Sequence, residues 1–204
     1  MDFQTCKNLG GVGALLLFIG PLLSFAHALG GVVSLIGIIL VLVALKGFAD
    51  HYKESSIFNN ALYGFITAII GVVVAGAVFM ITALNVITEL GITDWTNAAE
   101  WTTMWTTEMA MDFVFRILGG AIASLVIIFV FAIITAWLYR KSLGMLASKS
   151  GVGLFSTAGL LLLIGAVLTI ILVGAIIIWI AILLVAVAFF SMKPPVETTQ
   201  PTPP

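Results

Sequence analysis

The side chains of this sequence that could do chemistry are few, and most of them stand at the edges of long apolar runs. His27 falls where one run gives way to the next, Asn85 and Glu89 close a third, and Arg116 opens a fourth. Ionisable groups within a bilayer are costly and mark proton relays, ion paths or ligand sites when they lie deep. These four are expected at a membrane boundary instead. There His27 would reach the headgroups and Glu89 would pair with Arg116 across neighbouring helices.

A second group surrounds them. Trp95, Trp101 and Trp105, with Met104, Met109 and Met111, fall in a stretch from Glu89 to Asp112 that holds five acids and no lysine or arginine. Asn97 with Glu100 has the spacing of a helix cap and its reciprocal partner. Trp101, Met104, Trp105 and Glu108 then share one face. The spacing predicts a helix over 97–111 lying on the outer leaflet, anchored by indole rings that are apolar with one polar N–H. Its other reading is a lid or partner-docking surface whose acids attract a cation.

A third cluster, Asp50, His51, Lys53 and Glu54, joins acid to imidazole, but no further His, Cys or Ser completes a catalytic constellation. We expect a solvated loop there and no enzyme activity. Asn59 or Asn60 is well placed to cap the helix that follows. The lone Cys6 can form no disulfide within the chain and has no second thiol or nearby imidazole to share a metal. No cofactor or metal is implied.

The elements that carry these residues follow from composition. Of 204 residues 62% are hydrophobic and 8% charged, against roughly 25% charged in soluble domains. Apolar stretches fall near 9–26, 29–45, 61–87, 113–138, 152–172 and 174–190, and open strands in lipid would leave backbone groups unpaired. The expected fold is all-α: a polytopic transmembrane bundle of about six segments forming one domain over 1–193. The second stretch, about 26 Å of helix, is slightly short for a hydrocarbon core of about 30 Å. The Pro- and Thr-rich tail, 194–204, is expected to be disordered.

Orientation follows from the basic residues. Lys7, Lys46, Lys53, Arg140, Lys141, Lys149 and Lys193 fall on one side of the six segments, and Arg116 stands on the other. Both termini and both basic loops are read as cytoplasmic. Charge cannot tell whether the first and last pairs of segments cross or re-enter, because either way the chain returns to the same side. The net charge of -1 and the dispersed cations leave no stripe for nucleic acid.

Two further patterns concern packing. Gly11-Val12-Gly13 recurs as Gly151-Val152-Gly153, and Leu15 to Gly20 recurs as Leu160 to Gly165, suggesting parallel hairpin repeats about an axis along the membrane normal. The first copy, with Lys7 ahead of it and Ala26-His27-Ala28 behind, also imitates a cleaved secretory signal; the second copy, where no signal could lie, argues for a retained hairpin. Small residues four apart (Ala26, Gly30, Ser34; Gly64, Ala68; Gly71, Ala75; Gly119, Ala123) predict close helix contacts within the chain or between copies.

The stretch Leu42-Val43-Ala44-Leu45-Lys46-Gly47-Phe48-Ala49-Asp50, followed by Tyr52-Lys53 and Ile57-Phe58-Asn59-Asn60-Ala61-Leu62-Tyr63, resembles the domain of unknown function 996 family, as does the closing stretch Gly159 to Met192. The resemblance implies an integral membrane protein of prokaryotic, mainly archaeal, origin and supplies no activity. The expected role is a non-enzymatic structural, assembly or partner-binding component in the lipid bilayer, alone or as a homo-oligomer. Its rival is a small-solute permease or channel with Thr67, Thr82, Asn85, Ser124 or Thr135 lining a water-filled cavity.

Overall fold

Hydropathy alone would end most helices with their apolar stretches, yet they run further. The computed structural model describes residues 1–26, 29–89, 107–171 and 173–194. Among the described residues there is no strand, and six helices follow in order: α1 Phe3–Ala26, α2 Gly30–His51, α3 Ser55–Glu89, α4 Thr107–Ser150, α5 Leu154–Leu168, continued by a 3-10 turn Thr169–Ile171, and α6 Val173–Ser191. All six segments are long and apolar enough to cross a membrane. His27, Trp95, Trp101 and Trp105, the Asn97 cap with Glu100, and the tail from 195 lie outside the described residues. Residues 107–111, expected to end a separate interfacial helix, belong to α4 instead.

Apart from the start of α4, the overrun falls mainly at the lysine-bearing ends. Helix α2 continues past its apolar stretch to His51, α3 starts at Ser55, and α4, 44 residues or about 66 Å long, continues to Ser150. Asn59 and Asn60 are therefore inside α3 and not at its cap. Asn60 donates to the Ser56 carbonyl at 2.7 Å, and the residue before the helix, Glu54, supplies the cap. The Ser56 hydroxyl and backbone N–H, with Lys149 beside them, hold its carboxyl below the ordinary glutamate value. A carboxyl depressed in the fold stabilises it above the unfolded-state pKa, and that contribution is lost as pH falls through the folded value. In Glu54→Gln, amide exchange in the first turn of α3 is expected to lose this acid sensitivity.

The chain divides into two compact units, the described residues of Met1–Gly64 with Thr135–Pro204, and Phe65–Ile134. In the first, the largest fully buried side chains are Phe48, Phe155, Phe189, Leu45, Ile57, Leu146, Met192 and Cys6. All of them lie near the charged helix ends. Phe189 is the hub, with its ring 6.0 Å from Phe48 and 4.9 Å from Phe155; Phe3 meets Phe48 edge-on at 5.5 Å. Ser142 donates to the Ile57 carbonyl at 2.5 Å, and Lys7 to that of Met192 at 2.8 Å. Lipid tails give helices no hydrophobic reason to associate. Burial of the same side chains from contact with water is favourable at about 25 cal/mol per Å2.

The terminal hairpins of this unit share one construction. Gly20 of α1 faces the Gly30 carbonyl of α2, and Gly165 of α5 faces the Gly174 carbonyl of α6; an added methyl group would lie 3.1 and 3.0 Å from those oxygens. The hydroxyl of Ser24 bonds back to the Gly20 carbonyl at 3.1 Å, and that of Thr169 to the Gly165 carbonyl at 2.8 Å. Two turns along, Gly13 meets Gly37, and the corresponding Ala158 and Ala181 are fully buried. Gly20 and Gly165 are the residues paired by the sequence repeat, so the correspondence extends to contacts at both apices.

In the second unit α3 and α4 meet through small residues. Gly71 lies against Phe131, Gly120 against Thr82, and Ser124, buried, donates to the Ala75 carbonyl at 3.0 Å. The stripe expected on α4, Gly119 with Ala123, is exposed, and nothing lies within 4 Å of a methyl group placed on Gly119. Spacing identified a small-residue pattern but not its rotation; the Gly120 and Ser124 face, one residue round the helix, makes the contact.

Candidate functional site

Of the predicted polar positions, the structure brings two together. Arg116 contacts the Glu89 carboxylate across α3 and α4, and its Nε donates to Asp112 one turn earlier at 2.9 Å. All three side chains are about half exposed, which places the triad on the surface of the hairpin. The geometry is that of a clasp closing the hairpin end, and exposed pairs of this kind contribute modestly to stability. Asn85 is exposed, and its carbonyl accepts the Thr88 hydroxyl at 2.9 Å.

The cluster before α3 is drawn apart by its neighbours. Asp50 bridges to Lys46 at 2.7 Å, Glu54 to Lys149 at 3.7 Å, and the His51 ring lies edge-on to Phe3 and Tyr52. Asp50, His51 and Glu54 thus each have a partner of their own. Among the described residues no three His, Cys, Asp or Glu side chains gather where they could hold a metal ion.

Three of the four hydroxyls expected to line a solute path are bonded to backbone carbonyls, two of them across helices. Thr82 bonds back to the Val78 carbonyl at 2.9 Å, Ser124 crosses to Ala75, and Thr135 reaches the Gly64 carbonyl at 3.4 Å, a long and weak bond.

Three residues not singled out in the sequence emerge as organisers. Trp179 stacks on Phe18, ring centroids 4.4 Å apart, and donates Nε1–H to the Phe18 carbonyl at 2.8 Å. Pro21 lies inside α1 and deprives the carbonyl one residue before Phe18 of its helical donor, so α6 braces α1 where its ladder is interrupted. A proline inside an apolar run was the available signal; nothing in the sequence pointed to its partner. Tyr139, packed beside Gly64, buries its hydroxyl without a hydrogen-bond partner among the described residues. Since an unsatisfied buried hydroxyl costs about 1–3 kcal/mol, Tyr139→Phe is expected to leave stability unchanged or raise it by about 1 kcal/mol in detergent unfolding, while Trp179→Phe, which removes a made bond, lowers it by about 1 kcal/mol.

Comparison with known proteins gives a consistent setting. The profile of a family described as "Protein of unknown function (DUF996)" matches residues 33–183. An uncharacterised protein of Methanocaldococcus jannaschii is 27% identical over 192 residues, covering 94% of each chain. No solved structure matches.

Proposed function

The chain belongs to the DUF996 family of proteins of unknown function, and from that premise we propose that it is a multi-pass protein of the cell membrane with a structural or assembly role and no enzymatic activity. Both termini and both lysine-bearing loops face the cytoplasm in this reading. The observation that carries it is the use of polar side chains: Ser124 and Thr82 satisfy backbone carbonyls at or beside the α3–α4 contact, and Asp50 and Glu54 pair with lysines. Groups committed to holding helices together are not free to bind a solute. The segregation of seven cations to one end supports the orientation.

The test reconstitutes the purified chain in liposomes and follows glycerol and urea entry by light scattering. Rates equal to those of protein-free liposomes are expected; an increase that scales with protein would establish the permease reading instead. Orientation is checked with a membrane-impermeant thiol reagent on single cysteines at Ser56, Ser148, Trp101 and Val173. The background is Cys6→Ala, chosen because Cys6 is buried against Gly47. Labelling of 101 and 173 from outside, with 56 and 148 protected, is expected. Labelling of 56 or 148 from outside overturns the orientation, and protection at 173 makes the last hairpin re-entrant.

A further inference from the structure

Three of the cations near the lysine-bearing ends are spoken for: Lys46 by Asp50, Lys149 by Glu54 and Lys7 by the Met192 carbonyl. Lys53 and Lys193 are exposed and also lack a carboxylate partner among the described residues, but neither has a cation beside it in the chain; Arg140 and Lys141 differ in forming an adjacent pair on one helix. Both are exposed, neighbours on α4, and neither has a carboxylate partner among the described residues. They are nevertheless not loose. The Arg140 backbone is held by close approach of α5, where a methyl group on Gly159 would lie 3.1 Å from the Arg140 Cα. The Lys141 ammonium sits 3.6 Å from the centroid of the Trp137 ring, itself 46% exposed. A cation on an aromatic face keeps its full charge and is fixed in position without being neutralised.

From this arrangement we infer that Trp137, Arg140 and Lys141 form a binding site for the phosphodiester headgroup of an anionic phospholipid of the cytoplasmic leaflet. The inference rests on the membrane reading above. Charge complementarity selects the anion: guanidinium offers planar paired donors to phosphate oxygens, and the ammonium adds a second charge. The apolar surroundings select a lipid over a free anion. Trp137 stands one turn below Lys141, as an interfacial tryptophan does, and on the adjoining helix Leu160 and Ile164 are exposed after the Gly159 contact. The headgroup meets the cations while its chains run along this apolar surface. Nucleic acid would need a stripe of cations, and two adjacent side chains provide none.

The experiment measures thermal unfolding and native mass spectra of the whole chain in detergent with added phosphatidylglycerol, phosphatidylcholine or glycerol 1-phosphate. Phosphatidylglycerol is expected to raise the unfolding temperature more than phosphatidylcholine and to remain bound in the gas phase. The double variant R140Q/K141Q is expected to bind it about thirtyfold more weakly, from the usual contribution of two cations at an anionic surface. Lys46→Gln, which removes a cation already bridged, should retain it. Both sites are exposed, so the substitutions are compatible with folding, and an unchanged unfolding temperature without lipid verifies this. Equal responses to the two lipids, an unchanged double variant, or an equal response to glycerol 1-phosphate would each overturn the site. Failure of the membrane reading is separable: the protein would then partition into the aqueous and not the detergent phase of Triton X-114.

Discussion

Phe189→Ala is expected to lower stability by about 4 kcal/mol, the middle of the range for truncating a buried phenylalanine, and the apparent melting temperature in mild detergent by about 10 °C. Phe189 is fully buried, its ring contacts Phe48 and Phe155, and Gly10 of α1 lies directly against it, with 2.6 Å from an added methyl group to the ring. Truncation therefore opens a cavity where α1, α2, α5 and α6 converge, and no neighbouring backbone can close it without breaking another contact. The control is on the same helix: Ile176→Ala removes a side chain that is 59% exposed, where detergent or lipid replaces what is lost, and is expected to change stability by less than about 0.5 kcal/mol. Circular dichroism melts of the two variants decide the matter. Equal effects would mean that the charged-end core does not carry the tertiary stability.

Gly13→Ala is expected to cost about 2–3 kcal/mol, although alanine is the better helix former by about 1 kcal/mol. The added methyl group would lie 2.7 Å from the Gly37 carbonyl oxygen, 2.8 Å from Leu40 Cβ and 2.9 Å from the Val41 nitrogen. Two of these are backbone atoms, so α1 and α2 must separate along the hairpin, with overpacking of the usual order. Gly31→Ala, one residue past the first residue of α2, meets nothing within 4 Å and is expected to be neutral or stabilising by up to about 1 kcal/mol. Urea or SDS titration of the pair reads the difference, and similar midpoints for both would show that the hairpin is not held by backbone approach at Gly13. The companion hairpin uses Ala158 and Ala181 at the matching positions, so its helices stand far enough apart for a methyl group.

What could be read in advance was set by the one-dimensional distribution of apolar and charged residues. Six apolar stretches give six membrane-length helices, and the Glu89 to Arg116 pairing was legible because two opposite charges flank a single excursion of the chain. The repeat was legible because Gly20 and Gly165 follow similar leucine runs. The limits of that reading are equally specific. The helices reach Ser55 and Ser150, beyond the apolar stretches, because the helical ladder continues wherever its side chains find burial, as Ile57, Leu143 and Leu146 do. Gly119 with Ala123 and Gly120 with Ser124 are one residue apart in the same small-residue pattern, and only a partner helix fixes which pair makes the contact. The Trp179 contact with Phe18 joins residues far apart in sequence, beyond any local signal.

The helical class, the number of membrane-length segments and the segregation of the cations were legible in the linear order of residues, because these depend on composition and order alone. Only the packed helices fixed which glycines bear backbone contact, which hydroxyls bridge helices, and that Lys141 lies on the Trp137 ring with no carboxylate partner among the described residues. Those outcomes depend on the rotation and level of each helix against its neighbours, which side-chain packing sets and linear spacing does not.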